Sequence, residues 1–406
     1  MPHPLSTAHG RPMVALAAGL AVLLLAVLTV VTLPSNRAHA ATTPQEVTGF
    51  GSNPGNLRMF RYLPPGLPGG RPVVVAMHGC TQNAAGYAAD TGWMKLADTY
   101  KFAVVFPQQQ TANNSTSCFN WFEPGDARRD SGEALSIKQM VDRSTKDNSS
   151  TGAYVSGLSA GGAMAAVMLA TYPDVFSGGG VIAGLPYGCA NSVSTAFNCT
   201  SPGVSKSPKE WGDKVRAAYS YSGQRPKVSI WQGTSDSTVK PVNAIELMKQ
   251  FTHANGTDQT ADTSDTVGGF PHRTYGGTVE TYEITGMGHG QPVDPGTGPT
   301  QCGTAAPYIL DVNVCSAYHL VRFWGIDDST SPTPTPTGTS APTPTPTSTT
   351  PPYDDTVIGT ATDHYVAQRV TVGEYNKLGA AHGYHTAFTL YRCEAGWTDK
   401  PDCSPI

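Results

Sequence analysis

A short run of strand-forming residues, Ala153 to Ser156, leads directly into Gly157-Leu158-Ser159-Ala160-Gly161 and then into an Ala- and Met-rich stretch, Gly162 to Leu169. A strand that turns into a helix through two glycines with a serine between them fits a nucleophile elbow at the end of a sheet strand. The glycines flank Ser159 because so sharp a turn leaves no room for neighbouring side chains, and the helix start aims backbone N–H groups at developing negative charge. Similar alternation surrounds it. Strands are predicted at Leu57 to Leu63, Val73 to Met77, Phe102 to Phe106, Gly180 to Ala183, Val228 to Trp231 and Val279 to Ile284. Helices are predicted at Ala84 to Tyr100, Gly132 to Thr145, Ala160 to Tyr172, Pro241 to Thr252 and Val312 to Trp324. Strand, helix, strand in repetition implies an α/β fold with a mostly parallel sheet and helices on both faces, whose chemistry gathers at the carboxyl ends of the strands.

The rest of the 406 residues divide by composition. Residues 1–40 hold Arg11, an apolar run from Met13 to Leu33 and then Ala38-His39-Ala40, with no acidic residue, which reads as a secretory signal peptide cleaved after Ala40 rather than a membrane anchor. From Ser329 to Pro352 the chain uses only Ser, Thr, Pro, Gly and Ala, with Thr-Pro-Thr-Pro-Thr written twice. Such a segment has nothing to bury and favours extended polyproline II, so it reads as a semi-rigid spacer able to hold its ends apart. The expected organisation is a catalytic module at 41–328, a linker at 329–352 and a small C-terminal module at 353–406.

The formal net charge is −4, and loss of Arg11 and Arg37 with the signal leaves 24 basic against 30 acidic residues, a net −6. That balance gives no electrostatic basis for binding nucleic acid. After signal cleavage no stable membrane association is expected. Secretion places the eight cysteines in an oxidising compartment. Proximity favours Cys189 with Cys199, Cys302 with Cys315 and Cys393 with Cys403, leaving Cys80 for Cys118, although sequence alone cannot choose among the possible pairings. No C-x-x-C pair exists to support zinc.

A serine hydroxyl needs a histidine base, and the imidazole needs a carboxylate to hold its tautomer. Asp236 is the expected acid because Gly233-Thr234-Ser235-Asp236 lies just past the strand Val228 to Trp231. Asp213, Asp258, Asp262 and Asp265 have no such strand before them and read as solvated loop residues. His289, in Gly286-Met287-Gly288-His289-Gly290, follows the strand Val279 to Ile284, whereas His253, His272 and His319 read as surface or core histidines. The oxyanion hole then falls to the backbone N–H of Ala160 and that of Cys80, in the turn His78-Gly79-Cys80-Thr81-Gln82. Trp121 and Trp231 are candidates to line an apolar acyl pocket. The cluster Asp126, Arg128, Arg129, Asp130 and Glu133 reads as helix capping and loop ion pairing, with substrate entry as the other reading. Histidine acts as acid and base in turn, so neither metal nor organic cofactor is required.

With these residues placed, the large module resembles the catalytic domain of secreted polyhydroxybutyrate depolymerases and the related feruloyl and acetylxylan esterases, all α/β-hydrolases. The matching segments are His78 to Gln82, Cys118-Phe119-Asn120-Trp121-Phe122, Gly157 to Met164, Leu185-Pro186-Tyr187-Gly188-Cys189 and Gly286 to Gly290 with the following Pro292-Val293-Asp294-Pro295-Gly296. The resemblance implies an ester hydrolase using Ser159, Asp236 and His289, with Cys80 and Ala160 at the oxyanion. The tail is similar to the substrate-binding module of such depolymerases through Asp363-His364-Tyr365-Val366-Ala367-Gln368-Arg369-Val370, although Gln368 stands where that module has Gly. Its aromatic residues serve either adsorption or a small core. The expected substrate is an insoluble polyester, with feruloylated or acetylated polysaccharide as the alternative and a non-catalytic surface-binding protein as the more distant one. Oligomeric state is left open. A freely tethered tail predicts that severing the spacer spares soluble esters and slows turnover of particles.

Overall fold

Apolar residues along Val73–Met77 point alternately to opposite sides, and both sides are buried: Val73, Val75 and Met77 enter one core cluster, Val74 and Ala76 the other. A strand that buries both faces belongs in the middle of a sheet covered by helices on each side. A computed structural model describes residues 43–327, 356–367, 369–384, 388–393 and 396–398, and it builds on that pattern. The expected signal peptide and Thr/Pro spacer lie outside the described residues.

In chain order the body runs β1 (Gln45–Val47), β2 (Arg58–Tyr62), β3 (Val73–Met77), α1 (Ala84–Asp90), α2 (Trp93–Tyr100), β4 (Ala103–Gln108), α3 (Gly132–Asn148), β5 (Ala153–Leu158), α4 (Ala160–Thr171) and β6 (Phe176–Ile182). It continues with α5 (Val193–Thr200), α6 (Pro208–Ala218), β7 (Lys227–Gly233), α7 (Val242–Asn255), β8 (Thr263–Val267), β9 (Phe270–Tyr275), β10 (Val279–Ile284), β11 (Gln291–Val293), β12 (Ile309–Asp311) and α8 (Ser316–Trp324). The main sheet is ordered β1-β2-β4-β3-β5-β6-β7-β10-β9-β8. Its centre, from β4 to β10, is parallel, while β1 and β2 at one edge and β9 and β8 at the other are antiparallel. Helices α3, α4, α6 and α7 contribute to one core, and α1, α2 and α8 to the other.

Several elements depart from the expected ones. The helix expected over Ala84 to Tyr100 is two, broken at Gly92, which takes φ 81° and packs against the backbone of Gly303. Strand β6 begins four residues before the expected Gly180, because its glycines give a weak strand signal. A Cβ on Gly179 or Gly180 would press into Leu169 of α4 or Leu320 of α8, so the missing side chains let the helices lie close to the sheet. The polar hairpin β8–β9 and helices α5 and α6 carry too few apolar residues to stand out from loop.

After the spacer come β13 (Thr356–Gly359), α9 (Ala361–Val366), α10 (Val372–His382), β14 (Phe388–Cys393) and β15 (Gly396–Thr398), the three strands forming an antiparallel sheet ordered β13-β14-β15. This segment does not stand apart from the body as the reach of the spacer led us to expect. It falls in the same compact unit and packs on α7.

Candidate active site

The order of the sheet reverses around β3, whose successor β4 lies on one side and β5 on the other, a topological switch point where the loops leaving two strand ends diverge and open a crevice. The turns leaving β3 and β5 are thereby neighbours: a Cβ on Gly79 would sit 3.5 Å from Cβ of Ser159. Ser159 itself takes φ 58° and ψ −118°, a sparsely populated backbone state of the kind that a strained elbow imposes. The flanking glycines are explained sterically. A Cβ on Gly157 would collide with the carbonyl of Gly161, and one on Gly161 with the carbonyl oxygens of Met77 and His78.

The chain brings Ser159, Asp236 and His289 together from the ends of β5, β7 and β10. His289 Nε2 is 2.9 Å from Ser159 Oγ, and His289 Nδ1 is 2.7 Å from Asp236 Oδ2. A carboxylate accepts, so Nδ1 carries the proton and Nε2 is left to accept from the serine hydroxyl. Asp236 is 2% exposed and fully occupied: Oδ1 accepts from the N–H groups of Thr238 and Val239 at 2.8 and 2.9 Å, and Oδ2 also accepts from Gln232 Nε2 at 3.0 Å. Gln232 was not among the expected site residues. Its signal in the sequence is faint, a polar side chain one residue before the end of a largely apolar strand.

On the other side of the elbow, among the described residues, neither the Cys80 N–H nor the Ala160 N–H donates to a protein acceptor. The Cys80 turn is held from several directions. Gly79 N–H donates to Gln82 Oε1 at 2.8 Å, Thr81 N–H to the Thr116 carbonyl at 2.7 Å, and Cys80 is disulfide-bonded to Cys118. Buried His78 has Nδ1 2.7 Å from the Gly79 carbonyl and Nε2 accepting from the Gln109 N–H at 3.2 Å. Burial pushes its imidazole down to about 4, so the ring is neutral. Gln109 Nε2 donates to the Cys118 carbonyl and to Glu133, and Glu133 Oε2 accepts from the Asn120 N–H at 2.8 Å. Glu133 is pushed up to about 8, first by burial and then by the nearby charge of Asp126.

The polar cluster before α3 therefore divides. Asp126 Oδ1 accepts from the Glu133 N–H, Arg129 forms a two-pronged pair with Asp174, and Arg128 borders a cleft. That cleft, about 590 Å³, lies among the loops after β4 and β6, and its walls include Trp121, Phe122 and Tyr187 with Lys206 and Lys214. Trp121 thus reaches a pocket, whereas Trp231 does not. Trp231 has no exposed surface, donates to Ser229 Oγ and stacks on Tyr282 with centroids 3.6 Å apart, so its flat ring fills the core beneath the sheet and cannot line an acyl site.

Two further bonds join Cys189 to Cys199 and Cys302 to Cys315; of the expected Cys393–Cys403 pair, Cys403 lies outside the described residues. His253 and His319 sit in α7 and α8. His272 is in β9, its ring between Asp265 and Glu280. Among the described residues no helix is long and apolar enough to cross a membrane.

Known proteins resemble this chain in sequence and in fold. The sequence profile of the family described as Esterase PHB depolymerase matches residues 57–268. The chain is 57% identical over 399 residues to poly(3-hydroxyalkanoate) depolymerase C of Paucimonas lemoignei, covering 95% of each. It is 34% identical over 260 residues to feruloyl esterase B of Thermothelomyces thermophilus, covering 62% of this chain and 88% of that one. Among solved structures, acetyl xylan esterase from Aspergillus awamori superposes with a TM-score of 0.58 at 30% identity, over 61% of this chain and 94% of that one. An α/β-hydrolase sheet, a serine at its elbow and these relatives converge: the chain belongs to the esterase PHB depolymerase family and is a carboxylic ester hydrolase.

Proposed function

We propose that this chain is a secreted depolymerase that cuts the ester bonds of polyhydroxybutyrate-type polyesters through Ser159, His289 and Asp236. His289 Nε2 takes the Ser159 hydroxyl proton as Oγ attacks the ester carbonyl carbon, and the carbonyl π pair moves onto oxygen. That oxyanion accepts hydrogen bonds from the Cys80 and Ala160 N–H groups, where preorganised donors act most strongly because the charge forms at that point. Collapse breaks the bond to the alcohol oxygen, which leaves with the proton from His289. Water then attacks the acyl-serine by the same route, releasing a free acid and restoring the hydroxyl. Asp236 holds the tautomer and balances the transient imidazolium.

The observation that carries this reading is the unbroken contact from Ser159 Oγ through His289 to Asp236, at 2.9 and 2.7 Å. Polyester is favoured over polysaccharide by extent of match. The depolymerase relative is matched over 95% of this chain, which is out of reach without the C-terminal segment, while the feruloyl esterase relative is matched over 62%. That difference supports assigning residues 353–406 to polymer contact. Trp121 and Phe122, on the wall of the cleft among the loops after β4 and β6, are assigned to the acyl chain. Three disulfides support folding outside the cytoplasm, in keeping with a leader at 1–40. The test sets purified protein against polyhydroxybutyrate film and against feruloylated and acetylated xylan. Soluble hydroxyacid from the film, with little ferulate or acetate from xylan, is the expected result; the reverse pattern overturns the substrate assignment.

A further inference from the structure

Helix α7 is covered on all sides, with twelve of its fourteen residues buried. A helix lying on an α/β sheet ordinarily buries one stripe and leaves the opposite one to water. Here the outward stripe carries both apolar and charged residues. Ala244, Ile245 and Met248 line a small apolar cavity with Thr362, Tyr375 and Tyr384 of the C-terminal segment. Glu246 and Lys249, one turn apart and 3.0 Å from each other, are 0% and 1% exposed.

An ion pair taken out of water is stable only if its remaining lone pairs and protons find partners. Glu246 accepts from the Trp211 indole N–H of α6, from the Lys206 N–H at 3.1 Å and from Lys249. Its fourth donor is the Tyr365 hydroxyl of α9, whose ring also lies under the Lys249 ammonium at 4.1 Å. One side chain of the segment thus completes both halves of the pair, by a charge-assisted hydrogen bond to one and a cation–π contact to the other. Tyr365 and Tyr375 are 1% and 2% exposed and pack on each other with centroids 5.1 Å apart.

We infer that the C-terminal segment is a docked part of the esterase body, seated on α7 through Tyr365 and the Glu246–Lys249 pair, and not an arm swinging freely on its spacer. Tyr365 and Tyr375 are then packing residues, closed to polymer, and whatever surface the segment offers to a substrate keeps a constant orientation to the mouth of the active site. The cavity beside it is also lined by Gln232, the residue that holds Asp236, so docking borders the acid of the triad. This assignment rests on the packing alone and stands whatever ester the enzyme cuts.

The test places a specific protease site in the spacer of the full chain and cleaves the folded, oxidised protein. At about 1 µM the two pieces are expected to run together at the mass of one chain, with amide exchange of α7 as slow as before cleavage. In the cleaved Tyr365→Phe protein, which keeps the ring and loses the hydroxyl, the pieces are expected to separate at least about tenfold more readily, the worth of a hydrogen bond to a buried charge. In the uncleaved Tyr365→Phe protein α7 is expected to exchange faster while soluble-ester hydrolysis persists. Separation of the wild-type pieces at 1 µM, with the large piece still hydrolysing soluble ester, overturns the docking. A two-chain species in which segments are exchanged also overturns it, since the occupant of α7 would then be a second copy.

Discussion

The two flanks of Ser159 are built differently. On the side of β7 and β10, the proposed working groups are side chains in direct line, imidazole on hydroxyl and carboxylate on imidazole, each on a loop at a strand end, with the carboxylate held by Gln232 and the Thr238 and Val239 N–H groups. On the side of β3 and β4, the proposed working group is the Cys80 backbone N–H, which no side chain can replace, and what surrounds it is a buried scaffold of His78, Gln109, Glu133 and the Cys80–Cys118 bond. One flank concentrates its chemistry in single atoms. The other spreads it over a network, so loss of any one member is expected to be graded.

Substitutions on the two flanks can break that contrast. Ser159→Ala removes the proposed nucleophile and is expected to lower kcat by roughly 10⁴- to 10⁶-fold with the fold intact, measured on a soluble p-nitrophenyl ester. Activity within tenfold of wild type would move the chemistry to another residue. Asp236→Asn keeps the shape but presents an amide N–H or oxygen to His289 Nδ1 without fixing its tautomer, and a fall of about 10⁴ in kcat is expected, with KM little changed. A comparable rise in KM would instead indicate a collapsed acid loop.

The network flank is expected to yield a smaller number. Cys118→Ala frees Cys80 from its tether but leaves the Gly79 and Thr81 hydrogen bonds in place. A complete oxyanion donor is worth on the order of 10²- to 10³-fold, so a loosened one is expected to cost about tenfold in kcat. A drop as deep as that of Ser159→Ala would erase the distinction between the flanks, as would none at all.

The same contrast governs what could be read before any coordinates. Ser159, Asp236 and His289 were legible because each follows a strand and sits in a glycine-bearing turn, a pattern visible in one dimension. The parallel core was legible because Val73 to Met77 and Phe102 to Phe106 have no polar residue to interrupt them. Gln232, His78 and Gln109 were not, since their work lies in pairings across the fold, and a histidine beside a glycine looks the same whether it braces a turn or not. Glu133 was assigned to capping because charge near a helix start ordinarily faces water; its burial depends on Gln109 and Asn120, from the loop after β4. The docked tail escaped for a related reason. A Thr/Pro spacer announces separation, but nothing in α7 taken alone says that Lys249 and Glu246, an ordinary surface pair at helical spacing, will be roofed by a tyrosine more than a hundred residues away.

The smallest expected effect concerns Glu133, where the network flank should reveal itself through pH and not through rate. Its carboxyl belongs near 4.5 in the unfolded chain and is pushed up to about 8 in the fold, because burial and the charge of Asp126 outweigh the hydrogen bonds from Asn120 and Gln109. A group whose folded value is raised stabilises the fold fully below the unfolded value and loses that contribution as pH climbs through the folded one. Stability from this group is therefore present below about pH 4.5, declines through the interval to about pH 8 and stays at its lower level beyond. Glutamine resembles the neutral acid in shape and cannot ionise, so Glu133→Gln is expected to remove this decline, leaving the urea midpoint of the variant higher than that of wild type at pH 9 and close to it at pH 4.5. Titration of other groups is common to both proteins and cancels in the difference between them. Two midpoint curves that run parallel across the whole interval would show that Glu133 does not carry the raised value.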